Sequence, residues 1–311
     1  MTFLTDPFMT AFMLRALTGG VLVAVLCAVV GTWVVTRGMA FLGEAMAHGV
    51  LPGVAVASLV GLPPIAGAAV SAAVMSIGVT IVQRRWRLSA DTSIGLLFVA
   101  SLALGVVIIS SSRSFATDAT AILFGDILAV QPAQLVALAA ATAATAVIGV
   151  GWHRAFVALA VDPRQAQLQG LRPRLAQAVL IGLVALAVVS AYQAVGSLLV
   201  LGMLLGPAVA AARWTRRIPT TMALGAAIGS MSVFVGLLVS WHAATAAGAT
   251  IALVAVVAAP LSAAVRAAVN SLPNRTIPST GKPPSSTSTF ASTSTSISPT
   301  HEELHVSAIA D

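Results

Sequence analysis

The sequence predicts an all-α polytopic membrane protein with about eight to nine transmembrane helices, and three observations carry that expectation. The 311 residues are 58% hydrophobic and only 8% charged, against roughly 25% charged in soluble domains. Apolar runs long enough to cross a bilayer recur along most of the chain. All but one of the 16 basic residues are arginine, and they fall in short loops between those runs. That is the bias of cytoplasmic loops rather than of a nucleic-acid surface, so the net charge of +7 points to a membrane and no nucleic-acid partner.

After a short polar start with Asp6 and Pro7, the first helix is expected over 12–35. Acidic Asp6 ahead of a lone Arg15, before so long an apolar run, does not read as a cleavable signal peptide. Thr36-Arg37-Gly38 turns the chain into a second apolar run over 39–62, and Gly61-Leu62-Pro63-Pro64 connects it to a third helix over 65–82. Arg84-Arg85-Trp86-Arg87 marks a cytoplasmic loop, and Asp91 is placed as the N-cap of a fourth helix over 92–110. The stretch 113–130 is too polar to span, so it is expected at the outer surface or re-entering. The fifth helix covers 132–151.

The loop over 152–174 carries Arg154, Arg164, Arg172 and Arg174 and is again cytoplasmic. A sixth helix follows over 175–194, then a short seventh over 196–212, broken by Gly206-Pro207. Arg213, Arg216 and Arg217 place its end inside. The eighth, over 221–241, holds the small residues Gly225 to Gly229 that suit close helix contact. The ninth runs over 248–269. These spans put the N-terminus outside and the C-terminus inside. Residues 1–269 then form the membrane domain, and 270–311 a Ser/Thr/Pro-rich cytoplasmic tail expected to be disordered.

Within the second run, Glu44 and His48 are four residues apart and share one helix face. Counting 1.5 Å per residue from Arg37 at the membrane edge puts His48 roughly 16 Å deep, about halfway through. A carboxylate and an imidazole at that depth are costly, so they read as part of a water-filled pathway. Together they offer an oxygen and a nitrogen ligand to one divalent ion. The alternative is a buried Glu–His hydrogen bond that only locks two helices. His242, after Ser240-Trp241 at the outer end of the eighth helix, is either a solvated interface histidine or a further nitrogen donor, and Asp126 offers an oxygen near the entrance. In the loop, Asp162 can cap a short helix with Pro163 at its first position, Arg164 following and Gly170 ending it. Such an element suits docking of a soluble partner, or is a capped surface turn.

Other chemistries are excluded. The lone Cys27 precludes an intrachain disulfide or thiolate cluster. No G-x-x-x-x-G-K-[ST] phosphate loop occurs, so any ATP-driven motor is a separate chain. His301-Glu302-Glu303-Leu304-His305 matches the H-E-x-x-H metalloprotease pattern, but a tail without a rigid helix or third ligand cannot use it; its two histidines offer only loose metal binding.

With these residues in place, the chain resembles the integral-membrane permease subunits of zinc/manganese ABC importers, over 12–269. The run from Arg37 through Glu44 and His48 to Pro52-Gly53 carries the likeness most specifically, although the family usually has aspartate at the position of Glu44. Asp91-Thr92-Ser93-Ile94-Gly95, Leu123-Phe124-Gly125-Asp126, Val195-Gly196-Ser197-Leu198-Leu199-Val200 and Ser240-Trp241-His242 are further matches. In detail it looks most like actinobacterial-type zinc permeases. The resemblance implies a multi-pass protein of a bacterial plasma membrane, a homodimer of permeases, a pair of cytoplasmic ABC ATPases, and an extracellular metal-binding protein. It also implies that Asp162 to Gly170 transmits ATPase closure. The expected function is inward passage of zinc or manganese by alternating access, with no permanently bound cofactor and no enzymatic activity in this chain. A proton-coupled secondary metal transporter and an intramembrane enzyme using Glu44 and His48 are the competing readings.

Overall fold

In the computed structural model, residues 10–110, 127–161 and 172–271 are described, and among them every regular element is helical. The chain divides into two units, Met1–Ser271 and Leu272–Asp311, of which the second lies outside the described residues. The helices are α1 (Ala11–Thr36), α2 (Ala40–Gly49), α3 (Leu51–Val60), α4 (Pro64–Arg85), α5 (Ala90–Ser110), α6 (Pro132–Gly151), α7 (His153–Val161), α8 (Pro173–Ala212), α9 (Ile218–Ala243) and α10 (Ala247–Ser271). Among the described residues, eight spans are long and apolar enough to cross a membrane, α2 and α3 counting as one.

Two left-handed glycines shape the first turns. Gly38, with φ +66°, ends α1, and Gly61, with φ +76°, ends α3. After each, the next amide reaches back over the last turn, Met39 N–H to the Val34 carbonyl at 3.0 Å and Leu62 N–H to that of Ala57 at 2.8 Å. This closes the helix ends internally, as a bilayer demands.

The relative direction of two helix pairs follows from what their glycines touch. Cβ positions built at Gly225 and Gly229 of α9 lie 3.5 and 3.1 Å from the Cβ atoms of Ala28 and Ala24 of α1, so these helices run antiparallel at close range. The Gly225–Gly229 spacing does what was expected of it. Gly202 and Gly206 face Ala252 and Ala255 of α10 in the same order, so the end of α8 runs parallel to α10.

The 40 residues of α8 would span about 60 Å if straight, twice a bilayer. Gly196 breaks it, with φ 73° and ψ 168°. Arginines flank both ends, Arg172 and Arg174 before and Arg213, Arg216 and Arg217 after. The chain therefore turns back at Gly196, giving a span α8a (Pro173–Tyr192) and a shorter apolar helix α8b (Leu199–Ala212). Eight spans plus this shorter one make nine crossings among the described residues. The break at Gly196 falls at the boundary expected between the sixth and seventh helices, but the further break expected at Gly206-Pro207 is not formed: Pro207 sits within the helix, and Gly206 instead lets α10 approach, its Cβ position only 2.1 Å from the Ala255 carbonyl oxygen.

Three further differences concern local structure. The run over 39–62 is two helices rather than one, because Pro52 has no amide hydrogen for the His48 carbonyl; Val50 at the join keeps near-helical angles, so α2 and α3 still make one span. Ser89, not Asp91, caps α5: its Oγ accepts from Thr92 N–H at 3.1 Å, and Asp91 lies in the first turn, where its charge favours the helix dipole. The loop after α6 contains α7, whose Phe156 is buried and stacks edge-on to Trp33 of α1 at 5.2 Å. Of the stretch 113–130, only 127–130 is described: Ile127–Ala129 forms a 3-10 turn, with Ile127 and Val130 buried.

The core lies along α1, α2–α3 and α8a, each more than half buried, while α4, α5, α6 and α10 present apolar faces outward. Lipid is as apolar as those faces, so their exposure is the expected surface of a membrane protein.

Candidate functional site

The site is built on α2, a ten-residue helix. Leu42, Gly43, Ala45, Met46 and Ala47 bury its inner face against the core. Gly43 is required there, because a Cβ would lie 2.5 Å from the Leu204 side chain of α8b. Phe41, Glu44 and His48 are left on the outer face, at helical spacing, with Glu44 exposed and His48 half-buried. The structure thus puts Glu44 and His48 side by side on one turn.

Phe98 of α5 seats both ends of this face. Its ring centroid lies 5.8 Å from that of His48 and 5.4 Å from that of Phe41. The His48 Nδ1 is buried with no hydrogen-bond partner, and Glu44 makes no ion pair or hydrogen bond among the described residues. The Glu–His lock considered from sequence is therefore not formed, and both groups keep lone pairs for a ligand.

The α2–α3 join lies directly beyond His48. Ser71 of α4 donates its hydroxyl to the Gly49 carbonyl at 2.7 Å, which satisfies a backbone acceptor at the interruption. At the other end of α2, Arg37 donates from Nη1 to the Leu159 carbonyl of α7. Burial holds its guanidinium below the ordinary arginine pKa. The helix that carries the pair is thereby tied to α4 at one end and to α7 at the other.

Other expected residues fall elsewhere. His242 is exposed at the outer end of α9, its Nδ1 2.8 Å from the Leu238 carbonyl one turn back, and Trp241 beside it stacks on Phe12 at 6.2 Å. No three His, Cys, Asp or Glu side chains converge on a common point among the described residues. Asp126, the loop residues Asp162, Pro163, Arg164 and Gly170, and His301 to His305 lie outside those residues. Sequence reasoning missed Phe98 and Ser71, because an aromatic on one helix and a serine on another gain a role only when tertiary pairing brings them to α2.

The ABC 3 transport family model matches residues 9–266. The chain is similar to the manganese transport system membrane protein MntC of Halalkalibacterium halodurans, with 34% identity over 256 residues, 82% of this chain and 88% of that one. It is 32% identical over 250 residues, 80% of this chain and 92% of that one, to a Haemophilus influenzae protein named "Probable iron transport system membrane protein". Among solved structures it resembles PsaBC from Streptococcus pneumoniae, determined in complex with a Fab, at TM-score 0.74 and 30% identity, covering 84% of this chain and 94% of that one.

Proposed function

The chain belongs to the ABC 3 transport family, and on that premise we infer that it is the integral-membrane permease of a divalent-metal importer in a bacterial inner membrane. The ion passes inward by way of Glu44 and His48. One observation carries this reading: Glu44 and His48, neither with a hydrogen-bond or ion-pair partner among the described residues, share one outer helix face, which the count from Arg37 puts about 10–16 Å into the bilayer. Ionisable side chains facing hydrocarbon are untenable, so that face must meet water or protein.

A second copy of the chain, with its α2 opposed to the first, satisfies the requirement. Two Glu44–His48 pairs then supply two carboxylates and two imidazoles to one ion. Either chain alone offers two ligands, too few for a tight site, so the ion is released when the pairs separate. Asp162 to Gly170 receives the ATPase subunits, which are separate chains, and an extracellular metal-binding protein delivers the ion. The relatives named above carry manganese and iron in their names, and a mixed carboxylate–imidazole set accepts manganese, iron(II) and zinc alike. Manganese or zinc is the proposed cargo, and the zinc-type likeness of the sequence draws no support from those names. His242 and Asp126 are proposed as outer ligands that an ion meets before the pair.

The test is uptake of radiolabelled manganese and zinc, each in competition with the other, in cells expressing this chain and its ATPase. The Glu44→Ala and His48→Ala variants serve as controls with membrane insertion verified. Uptake should be lost in both variants. Uptake unaffected by either removes the site, and uptake by the chain reconstituted without any ATPase replaces the ATP-driven importer with a secondary transporter.

A further inference from the structure

Away from the metal pathway, the arginine-rich ends of α4 and α8 meet. Gln177 Nε2 donates to Gln83 Oε1 at 3.0 Å and pins the two helix ends together. Beside this bond lies a cavity of about 600 Å³ lined by Arg84, Arg172, Pro173, Arg174, Leu175 and Ala178. All three arginines are exposed, and none of their guanidinium groups forms an ion pair or hydrogen bond among the described residues. The only acidic residues described are Glu44 and Asp91, and neither forms an ion pair with these arginines. Three forked guanidinium donors around one hollow match a phosphate-bearing anion.

The surroundings say which kind. On α4, Val70, Val74, Ile77 and Ile81 form an exposed stripe at helical spacing that leads to Arg84, and Trp86, 60% exposed, stands at the same end. Leu175 at the cavity's rim is also exposed. An apolar stripe ending in arginines, with a tryptophan at the level where aromatic belts lie, fits acyl chains below and a headgroup above. A free phosphate would use only the arginines. We propose that this cavity binds the headgroup of an anionic phospholipid from the cytoplasmic leaflet, with one acyl chain along the α4 stripe.

The proposal is tested on the full permease purified with its ATPase in a neutral detergent. Dioctanoyl phosphatidylglycerol, dioctanoyl phosphatidylcholine and inorganic phosphate are titrated separately, and binding is read by native mass spectrometry and thermal shift. Each arginine near an anionic surface contributes about five-fold in affinity. Replacing Arg84, Arg172 and Arg174 together by Gln should thus weaken phosphatidylglycerol binding on the order of 100-fold. A variant with Arg213, Arg216 and Arg217 changed to Gln removes the same charge elsewhere and should keep wild-type binding. If the first triple variant does not fold, the Arg84→Gln/Arg172→Gln pair, expected to lose about 25-fold by the same factor, decides. Equal losses in both triple variants would show a general charge effect and overturn the site. Equal binding of phosphatidylcholine, or equal stabilisation by inorganic phosphate, would overturn the lipid assignment. Retained phosphatidylglycerol with loss of the copurifying ATPase would make the cavity a docking surface for that protein instead.

Discussion

The contact between α3 and α4, which holds the outer end of the site helix, rests on two glycines facing each other. A Cβ at Gly53 would lie 2.1 Å from the Gly67 carbonyl oxygen and 2.6 Å from the Ser71 Cβ; a Cβ at Gly67 would lie 2.1 Å from the Gly53 carbonyl oxygen and 2.7 Å from the Ala57 Cβ. Carbon–oxygen contacts settle at about 3.3 Å or beyond, so either Gly→Ala change forces the helices apart by roughly an ångström. The opposing atoms are backbone and cannot turn aside. Each single substitution should cost about 2–3 kcal/mol, the upper part of the overpacking range. The two clashes are relieved by the same separation, so the double variant should cost at least about 1 kcal/mol less than the sum of the singles. Gly182→Ala is the control: nothing lies within 4 Å of its Cβ position, and alanine should be neutral or stabilising by up to about 1 kcal/mol. The assay is reversible unfolding in mixed micelles, with metal uptake measured in parallel. Singles without effect, or a strictly additive double, would refute the close backbone contact and the reasoning built on it.

Removing the Ser71 hydroxyl by Ser71→Ala strips the Gly49 carbonyl of its 2.7 Å partner; the same unfolding assay should register a loss of about 0.6–2 kcal/mol, and uptake should fall with it. Phe98→Ala removes the ring packed on His48 and Phe41. It should raise the apparent KM for metal uptake several-fold with insertion unchanged, while Phe98→Leu recovers part of the loss. Arg37→Gln breaks the donation to the Leu159 carbonyl; ATP hydrolysis by the reconstituted complex should persist while metal transported per ATP drops, and an unchanged ratio would leave Arg37 without a coupling role.

Much of this architecture was readable because arginine, glycine and proline mark the ends of spans, and α6 has the expected bounds of 132–151. Proline was the least transferable mark. Pro52 and Pro207 each remove one hydrogen bond from a helical ladder, yet the helix divides only at Pro52, and nothing local to either tells them apart. The helix α7 was hidden by the arginines around it, although Trp152, Phe156 and Leu159 already stand at the four- and three-residue spacing of a helix face. At α5 the nearer acid drew attention from Ser89, one turn ahead of the side chains it holds. The Glu44–His48 pair was legible because ionisable groups in an apolar run need no tertiary information to be noticed. Ser71 and Phe98 needed the packing of α4 and α5 onto α2, which no local pattern encodes.

If the pair acts as proposed, its placement also restricts how an ion would leave it. Glu44 and His48 lie on one turn of a helix whose inner face is locked into the core, so their mutual distance is nearly fixed. Switching between holding and releasing must then come from what faces them rather than from a change between them. The helix itself is discontinuous at both ends: Gly38, with open space around it and φ +66°, lies before it, and the interrupted ladder at Val50 lies after it. Besides the packing of its inner face, hydrogen bonds tie it to its neighbours, from Arg37 to α7 and from Ser71 and Ser76 of α4 to Gly49 and Met46. A short rigid rod between two soft joints can tilt without breaking its own hydrogen bonds, provided that the helices packed on its inner face, α8b among them, move with it. Under the coupling role proposed for 162–170, into which the sequence leads from α7, a push on that loop would reach the rod through Arg37 and move both proposed ligands together. Under the proposed dimeric site, a tilt in each copy opens the gap between the two pairs while leaving each pair intact, which lowers the coordination of the ion from four protein ligands to two.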